Sequence, residues 1–476
     1  MSNLFEFTAE LVQSSADDKT PLAMYANLRQ MFSETLLLEC VEPRSPETAC
    51  SYFCADPILK FTIENNRVRV SQSGRRIKEV VLDQTSNTSN AFLEFQNQIK
   101  INGHSADLCN LFGYVGFSAI PFLEEINFQN APPENERIPA LQFALYRYIF
   151  RIDHYRHTLT AVQLHDEKTN SPGLDELLTK ISTRRAPDFR FACQNEEISE
   201  ISDENYAGLV RTCQQHIQRG DVFQIVPSRK FVQKYSGDEF QVYRVLRQIN
   251  PSPFLFFYDY GSFALFGSSP EAQLIVKNGV ATINPIAGTY PRGINRENDL
   301  ELAEKLGRDA KETAEHVMLV DLARNDLGKN CENVTVEKFK EAEFYSHVIH
   351  LVSNVTANPR ENVGAFQIFA DTFPAGTLSG APKYRALQIL NTIETSARSF
   401  YGGSVGFFGL EGSISTQAIM IRSFLAKNRQ LVFQAGAGIV ADSIPETETA
   451  EVRNKLAALR RAIEQASGAE NGNGNK

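Results

Sequence analysis

The sequence contains no tryptophan, and only five methionines and eight histidines among its 476 residues. No run of apolar residues approaches the ~18 that a helical membrane span requires. The first residues, MSNLFEFTAELVQSSADDKT, lack the basic stretch followed by an apolar one that marks a secretory signal. Cysteine is sparse and scattered: seven residues, an odd number, at positions 40, 50, 54, 109, 193, 213 and 331. They read as reduced thiols in a cytoplasmic protein rather than as a disulfide framework. Cys50 and Cys54 form one C-x3-C with no second pair nearby, which leaves a zinc site unsupported. Positive charge is also short, with 48 Lys+Arg against 57 Asp+Glu and a net charge of −9. That argues against a nucleic-acid or anionic-membrane surface, but not against a small anionic substrate held by a local site. Neither a P-loop nor a dinucleotide fingerprint is present. Ser379 lacks a hydrolase elbow.

What is present is ordinary globular material, 42% hydrophobic and 22% charged, enough for two or three domains or one large interleaved unit. Residues 1–165 alternate helical and strand-like patterns: TPLAMYANLRQMF is helical, TLLLEC is a buried strand, VRVSQSGRRIKEVVL is strand, turn, strand, and FALYRYIFRIDHYRHTLTAVQL is two strands around His154 and Tyr155. Residues 166–200 are polar and carry NSPG and APDF breakers around a short helix, LDELLTKI; they read as a connection. Residues 201–467 form the second half, and 468–476 a low-complexity, disordered tail. Only five of the 28 glycines precede residue 201, which leaves 23 after it. They cluster in PIAGT, AGTLSG, YGGSVG and QAGAG. Glycine lets backbone N–H groups approach a ligand, so the second half is expected to hold the site.

Glu312 and Glu315 lie three apart in LELAEKLGRDAKETAEHVMLVDLA, which has one helical period and places them on one face. Glu448 and Glu451 repeat the spacing on a helix opened by Pro445. One such pair is a solvated acidic face; two that converge would need a cation, and oxygen-only ligation selects Mg2+ or Ca2+. Arg422, in STQAIMIRSFL, is expected within a buried strand, where a guanidinium needs a carboxylate partner from the protein or from a ligand. Tyr401 and Lys455 are weaker candidates of the same kind. His350 alternates with apolar residues in a strand, and Glu271 begins a strand after a turn. Thr289 and Thr377 lie beside glycine-rich turns whose N–H groups suit a carboxylate.

Eight ordered segments, GDVFQIVPSR, NPSPFLFF, FGSSPEA, PIAGTYPRG, KETAEHVMLVDLARNDLG, AGTLSGAPK, YGGSVGFF and QAGAGIVADS with ETAEVRNK, resemble the chorismate-utilising enzymes, and among these the large components of anthranilate synthase. The resemblance implies an α/β (α+β) fold of two intertwined domains, with β-sheets packed face to face and helices outside. It implies chorismate as substrate and Mg2+ as metal, with Glu315 and Glu451 as the direct ligands and Glu312 and Glu448 beside them. Arg422, Tyr401, Lys455 and the Gly436, Ala437 and Gly438 turn match substrate contacts, as do Gly288, Thr289 and Thr377. His350 matches a proton-transfer residue, and Glu271 the carboxylate that protonates the departing hydroxyl.

Two positions bear on the reaction. Relatives that add water carry a lysine where this chain has Gln224, and glutamine cannot serve as that base. Aminodeoxychorismate synthases resemble PIKGT and use its lysine as nucleophile, where this chain has Ala287. Both positions favour anthranilate formation over those siblings. A 2-amino-2-deoxyisochorismate synthase, which stops before pyruvate leaves, stays open. The chain shows no cysteine in a glutaminase elbow, so the resemblance implies a glutamine amidotransferase subunit as ammonia source and hence a hetero-oligomer. It also implies a site for L-tryptophan as feedback inhibitor at Glu39, Cys40, Pro253, Phe254 and Leu255. Here Cys40 replaces a serine and Phe254 a tyrosine, and each loses a hydroxyl.

Overall fold

The computed structural model describes residues 5–41, 46–82, 87–103, 108–166, 171–185, 187–344 and 348–468. The expected tail at 468–476 lies outside these residues, apart from Gly468 at the end of the helix Pro445–Gly468. Two strands organise the molecule. Cys50–Glu64 and Leu141–Asp153 run antiparallel to each other along almost their whole length. The first bends at a bulge beside Pro57, where Asp56 takes a positive φ of 61°; a proline cannot donate to the ladder, so it belongs at such an interruption.

The bend lets one ladder fold over as two layers. The first half of Cys50–Glu64, with the second half of Leu141–Asp153, sits in a layer that runs through Thr35–Cys40, Phe254–Asp259, Ala264–Ser269, Ser423–Lys427, Gln430–Gly436 and Ser228–Gly237 to Phe191–Ser199. From the other end of the pair, the second layer runs through Asn110–Val115, Ser404–Gly409, Ser415–Ile419, Ala272–Lys277 and Val280–Ile283 to Val348–Pro359, which is flanked by Ile286–Pro291 and Cys331–Phe344. The layers face each other across a core in which Leu36, Leu38, Phe256 and Leu265 meet Phe61, Phe112, Leu274 and Val405. On the outer face of the first layer, Leu37, Phe53, Phe257 and Phe424 pack under helices that contribute Tyr25, Leu177, Tyr206, Tyr243 and Leu456. Each such burial is worth roughly 1.5–3 kcal/mol. The strand residues alternate between the two cores because successive side chains point to opposite faces. The α/β architecture of face-to-face sheets with helices outside is therefore as expected.

Three local expectations change. The helical pattern across residues 300–323 is two helices, Arg296–Arg308 and Ala310–Gly328. Asp309 breaks them and its Oδ1 accepts the Glu312 N–H at 3.1 Å, an N-terminal cap. Arg422 is not inside a strand; it stands between Ser415–Ile419 and Ser423–Lys427 with φ +49°. The connection at 166–200 ends in a strand, Phe191–Ser199, that forms the edge of the first layer against Ser228–Gly237.

Candidate active site

Strand ends and two helices meet around the turn Gly436–Gly438. Gly436 ends its strand so close to Pro227 that an added Cβ would lie 2.6 Å from the Pro227 carbonyl oxygen. The Ala437 N–H donates to the Tyr206 hydroxyl at 3.3 Å, and Lys455 Nζ donates to the Gly436 carbonyl at 2.9 Å. The buried Tyr401 hydroxyl contacts the Gly436 backbone, and desolvation holds this phenol well above its ordinary range. At Gly438 a Cβ would stand 2.5 Å from Gln224 Nε2 and 3.8 Å from Glu315 Oε1. A side chain at Gly438 would have to displace the Gln224 amide, which fills that space. Gln224 is 3% exposed; its Nε2 donates to Glu315 Oε1 at 2.8 Å, and its buried Oε1 has no hydrogen-bond partner among the described residues.

A second group lies beside this turn. Thr377 Oγ1 donates to Glu271 Oε1 at 3.1 Å. Burial pushes the Glu271 carboxyl up to about 7, against the smaller opposing influences of Thr377, Lys455 and Arg422. Arg422 is desolvated, and its guanidinium makes no hydrogen bond or ion pair among the described residues. Glu271 and Thr377 line a cavity of about 40 Å³ with Leu319, Leu322 and Thr372. His350 Nδ1 lies 2.9 Å from the Gly288 carbonyl. A carbonyl only accepts, so Nδ1 carries the proton and Nε2 keeps its lone pair. Burial, with a smaller effect from Arg422, holds His350 below its usual value, hence neutral near pH 7. Gly288 sits at φ +73° on a bulge, and a Cβ there would approach Leu306 at 3.0 Å and Glu312 Oε2 at 3.2 Å. Thr289 pairs in register with His350.

The four glutamates supply only oxygen donors, the right type for a hard divalent cation. Their helices reach the same turn, Glu315 through Gln224 and Gly438, and Glu451 through Lys455, whose Nζ it holds at 2.7 Å. Glu448 is buried on the same helix, one turn before Glu451. Among the described residues no three acidic, histidine or cysteine side chains gather closely enough to hold a metal. The donors fit by chemistry and by the turn they share, while Glu315 and Glu451 are engaged by Gln224 and Lys455.

The five residues expected around a regulatory ligand divide between the two faces of one sheet. Cys40, Pro253 and Phe254 line a cavity of about 400 Å³ between the layers. Glu39 turns to the opposite face, where both its oxygens take hydrogen bonds from Arg247 at 2.7 Å and Oε1 one from Tyr243 at 2.9 Å. Leu255, paired with Glu39, packs in the same outer core. Strand alternation requires this division.

Spacing did not reveal the support beneath the site. Arg398 is buried, bonds the Leu378 and Val226 carbonyls and pairs with Glu394 at 2.7 Å, while Glu394 accepts from Ser228. This ties the 224–228 segment to the 376–379 turn. The only trace in the sequence is Glu394 and Arg398 at i, i+4, a spacing common on exposed helices.

The chain matches the chorismate binding enzymes over residues 40–461. Anthranilate synthase component 1 of Acinetobacter calcoaceticus is 34% identical, over 96% of this chain and 95% of that relative. The same component of Pseudomonas aeruginosa is 39% identical over 74% of each. The crystal structure of anthranilate synthase component I from Streptococcus pneumoniae superposes with a TM-score of 0.73 at 33% identity, covering 86% of this chain and 92% of that one. A menaquinone-specific isochorismate synthase from Escherichia coli gives the same TM-score at 18% identity and shares the fold. The chain thus belongs to the chorismate binding enzymes, and it is similar over nearly its whole length to the members named anthranilate synthase component 1.

Proposed function

We infer that this enzyme acts on chorismate as an anthranilate-forming lyase, combining it with ammonia to give anthranilate and pyruvate at the entry to tryptophan biosynthesis. The observation that carries the reading is a buried acid held near neutrality, Glu271, close to a buried Arg422 whose guanidinium makes no hydrogen bond or ion pair among the described residues. Similarity to anthranilate synthase components narrows the reaction. Gln224 and Ala287, in place of lysines, favour ammonia addition followed by elimination.

The residues divide the work as follows. Arg422, with the N–H groups of the Gly436–Gly438 turn and Tyr401, binds the carboxylate of the enolpyruvyl side. Thr377 occupies one oxygen of Glu271 and leaves the other to carry the proton that a departing hydroxyl needs. With its ionisation near 7, a large share of Glu271 holds its proton at neutral pH and is still a strong enough acid to give it up. Neutral His350, held by Gly288, offers Nε2 to a proton leaving the ring. A Mg2+ held by Glu315 and Glu451, with Glu312 and Glu448 beside them, would neutralise a substrate carboxylate.

Ammonia comes from a glutamine amidotransferase subunit, because the chain carries no glutaminase elbow and its relatives are named as a first component. The assembly is a cytoplasmic hetero-oligomer. L-Tryptophan acts as feedback inhibitor in the cavity lined by Cys40, Pro253 and Phe254, weakened by the hydroxyls that Cys40 and Phe254 lack. The test is product analysis after incubation with chorismate, Mg2+ and ammonium. Anthranilate and pyruvate in equal amounts support the reading. An amino intermediate without pyruvate would move the chain to a sibling activity. Unconsumed chorismate, even with an amidotransferase subunit added, would refute it.

A further inference from the structure

The cavity between the layers has thiol chemistry that the proposed reaction does not use. Cys40 and Cys50 are directly opposite each other on the antiparallel strands Thr35–Cys40 and Cys50–Glu64, and both line this cavity of about 400 Å³. Directly opposed residues hold their Cβ atoms about 4.5–5.5 Å apart. A disulfide needs about 3.5–4.5 Å, so closure asks for a shift on the order of 1 Å. Both thiols are reduced here. Arg151 reaches Cys50 from the neighbouring strand, where it pairs with Tyr52. Arg151 also has a buried Nε without a hydrogen-bond partner among the described residues. Cys40 and Arg151 together lower the Cys50 thiol to about 7, against the opposing effect of burial. Glu47, Glu343 and Lys277 are the other charged groups on the cavity wall.

The second thiol pair in this region makes a contrast. Cys54 and Cys109 are fully buried, and desolvation drives the Cys54 thiol well above its ordinary range. Burial and the neighbouring Cys109 both act on Cys54 in that direction, against only a backbone hydrogen bond from Phe150. Reactivity follows the thiolate and its access, and Cys50, with half-buried Cys40 opposite it, combines a neighbouring cation with an open cavity.

We propose that Cys40 and Cys50 form a redox-active modification site, in which Cys50 is the attacking thiol, Cys40 the resolving one, and a small peroxide the oxidant. The Cys50 sulfur attacks a peroxide oxygen, the O–O bond breaks, and hydroxide leaves and takes a proton to become water. Cys50 is then a sulfenic acid. The Cys40 sulfur attacks the Cys50 sulfur, the S–O bond breaks, and a second water leaves as the S–S bond forms. Two thiols and one hydrogen peroxide become one disulfide and two waters, with two electrons passing from sulfur to peroxide.

The test uses the full chain in a Cys193→Ser background, since Cys193 is exposed and would react indiscriminately. At neutral pH Cys50 should alkylate with iodoacetamide more than ~10-fold faster than Cys54. Stoichiometric hydrogen peroxide should remove two thiols, give a cross-linked peptide joining Cys40 to Cys50, and be reversed by dithiothreitol. Cys40→Ser should trap the sulfenic acid at Cys50 as a dimedone adduct, and Cys50→Ser should give none. The proposal is overturned if Cys50 labels no faster than Cys54, or if both thiols survive peroxide in the unsubstituted pair. Direct passage of Cys50 to sulfinic acid with Cys40 untouched would also overturn it. The measurements on the unsubstituted pair decide the matter even if a serine variant misfolds.

Discussion

Replacing Arg422 by methionine removes a charge but little volume, and both residues meet the same strain at φ +49°, so backbone effects cancel. The guanidinium makes no hydrogen bond or ion pair among the described residues and feels only the nearby Glu271 electrostatically, so its removal breaks no internal bond. A buried, unpaired cation costs stability; the variant should therefore melt at the same temperature as the parent or higher. Its loss should instead fall on substrate. A hydrogen bond to a charged group is worth about 1.5–3 kcal/mol, and each 1.36 kcal/mol is tenfold, so kcat/KM for chorismate should fall about 10- to 150-fold. A second signature follows from the neighbours. Arg422 lowers the ionisation of both Glu271 and His350, so both should titrate at higher pH in the variant. Steady-state kinetics from pH 5.5 to 9, with a thermal melt, measure all three. A kcat/KM within about twofold of the parent, or a large drop in melting temperature, would refute the assignment and make Arg422 structural.

Glu451→Gln should abolish turnover while lowering the melting temperature little, because the Glu451–Lys455 pair is half exposed and such pairs contribute about 0–1 kcal/mol; retained turnover at saturating Mg2+ would remove Glu451 from the metal. Thr377→Val withdraws a bond that lowers the ionisation of Glu271, so the alkaline limb of the pH–rate profile should move up; an unmoved limb would separate Thr377 from Glu271. Gly438→Ala sets a Cβ 2.5 Å from Gln224 Nε2 and should force the amide off Glu315. An activity loss of at least ~10-fold with a folded chain is expected from a misplaced site residue, and unchanged kinetics would show that the turn has room.

Much of the fold could be read from patterns that tertiary packing leaves intact. TLLLEC is apolar on both faces because Leu37 serves the outer core and Leu36 and Leu38 the inner one. The glycine clusters mark the turns at 288, 376 and 436–438, where the backbone does approach neighbouring groups. Other features carry no periodic signal. The break at Asp309 is invisible because apolar spacing continues across it, while a single carboxylate caps the second helix. Arg422 reads as a strand residue since apolar residues flank it, yet the chain turns there through a positive φ. The edge strand Phe191–Ser199 is mostly exposed, so it lacks the alternation that betrays a strand. Glu39 and Cys40 are neighbours in sequence but serve opposite faces; the Arg247 partner that explains Glu39 is 208 residues away.

The central claim is that Glu271 is a carboxylic acid held near neutrality to protonate a leaving hydroxyl. Its direct test is an NMR titration of the glutamate-labelled chain, with Glu271→Gln used to assign the carboxyl signal. A carboxyl raised from its ordinary value stays protonated in the folded chain at mildly acid pH, and ionising it costs stability as pH rises through the folded value. The account predicts a midpoint of about 7, with activity lost above it. A midpoint near the ordinary glutamate value of about 4.3 would leave no proton on Glu271 at neutral pH and contradict its role as the acid.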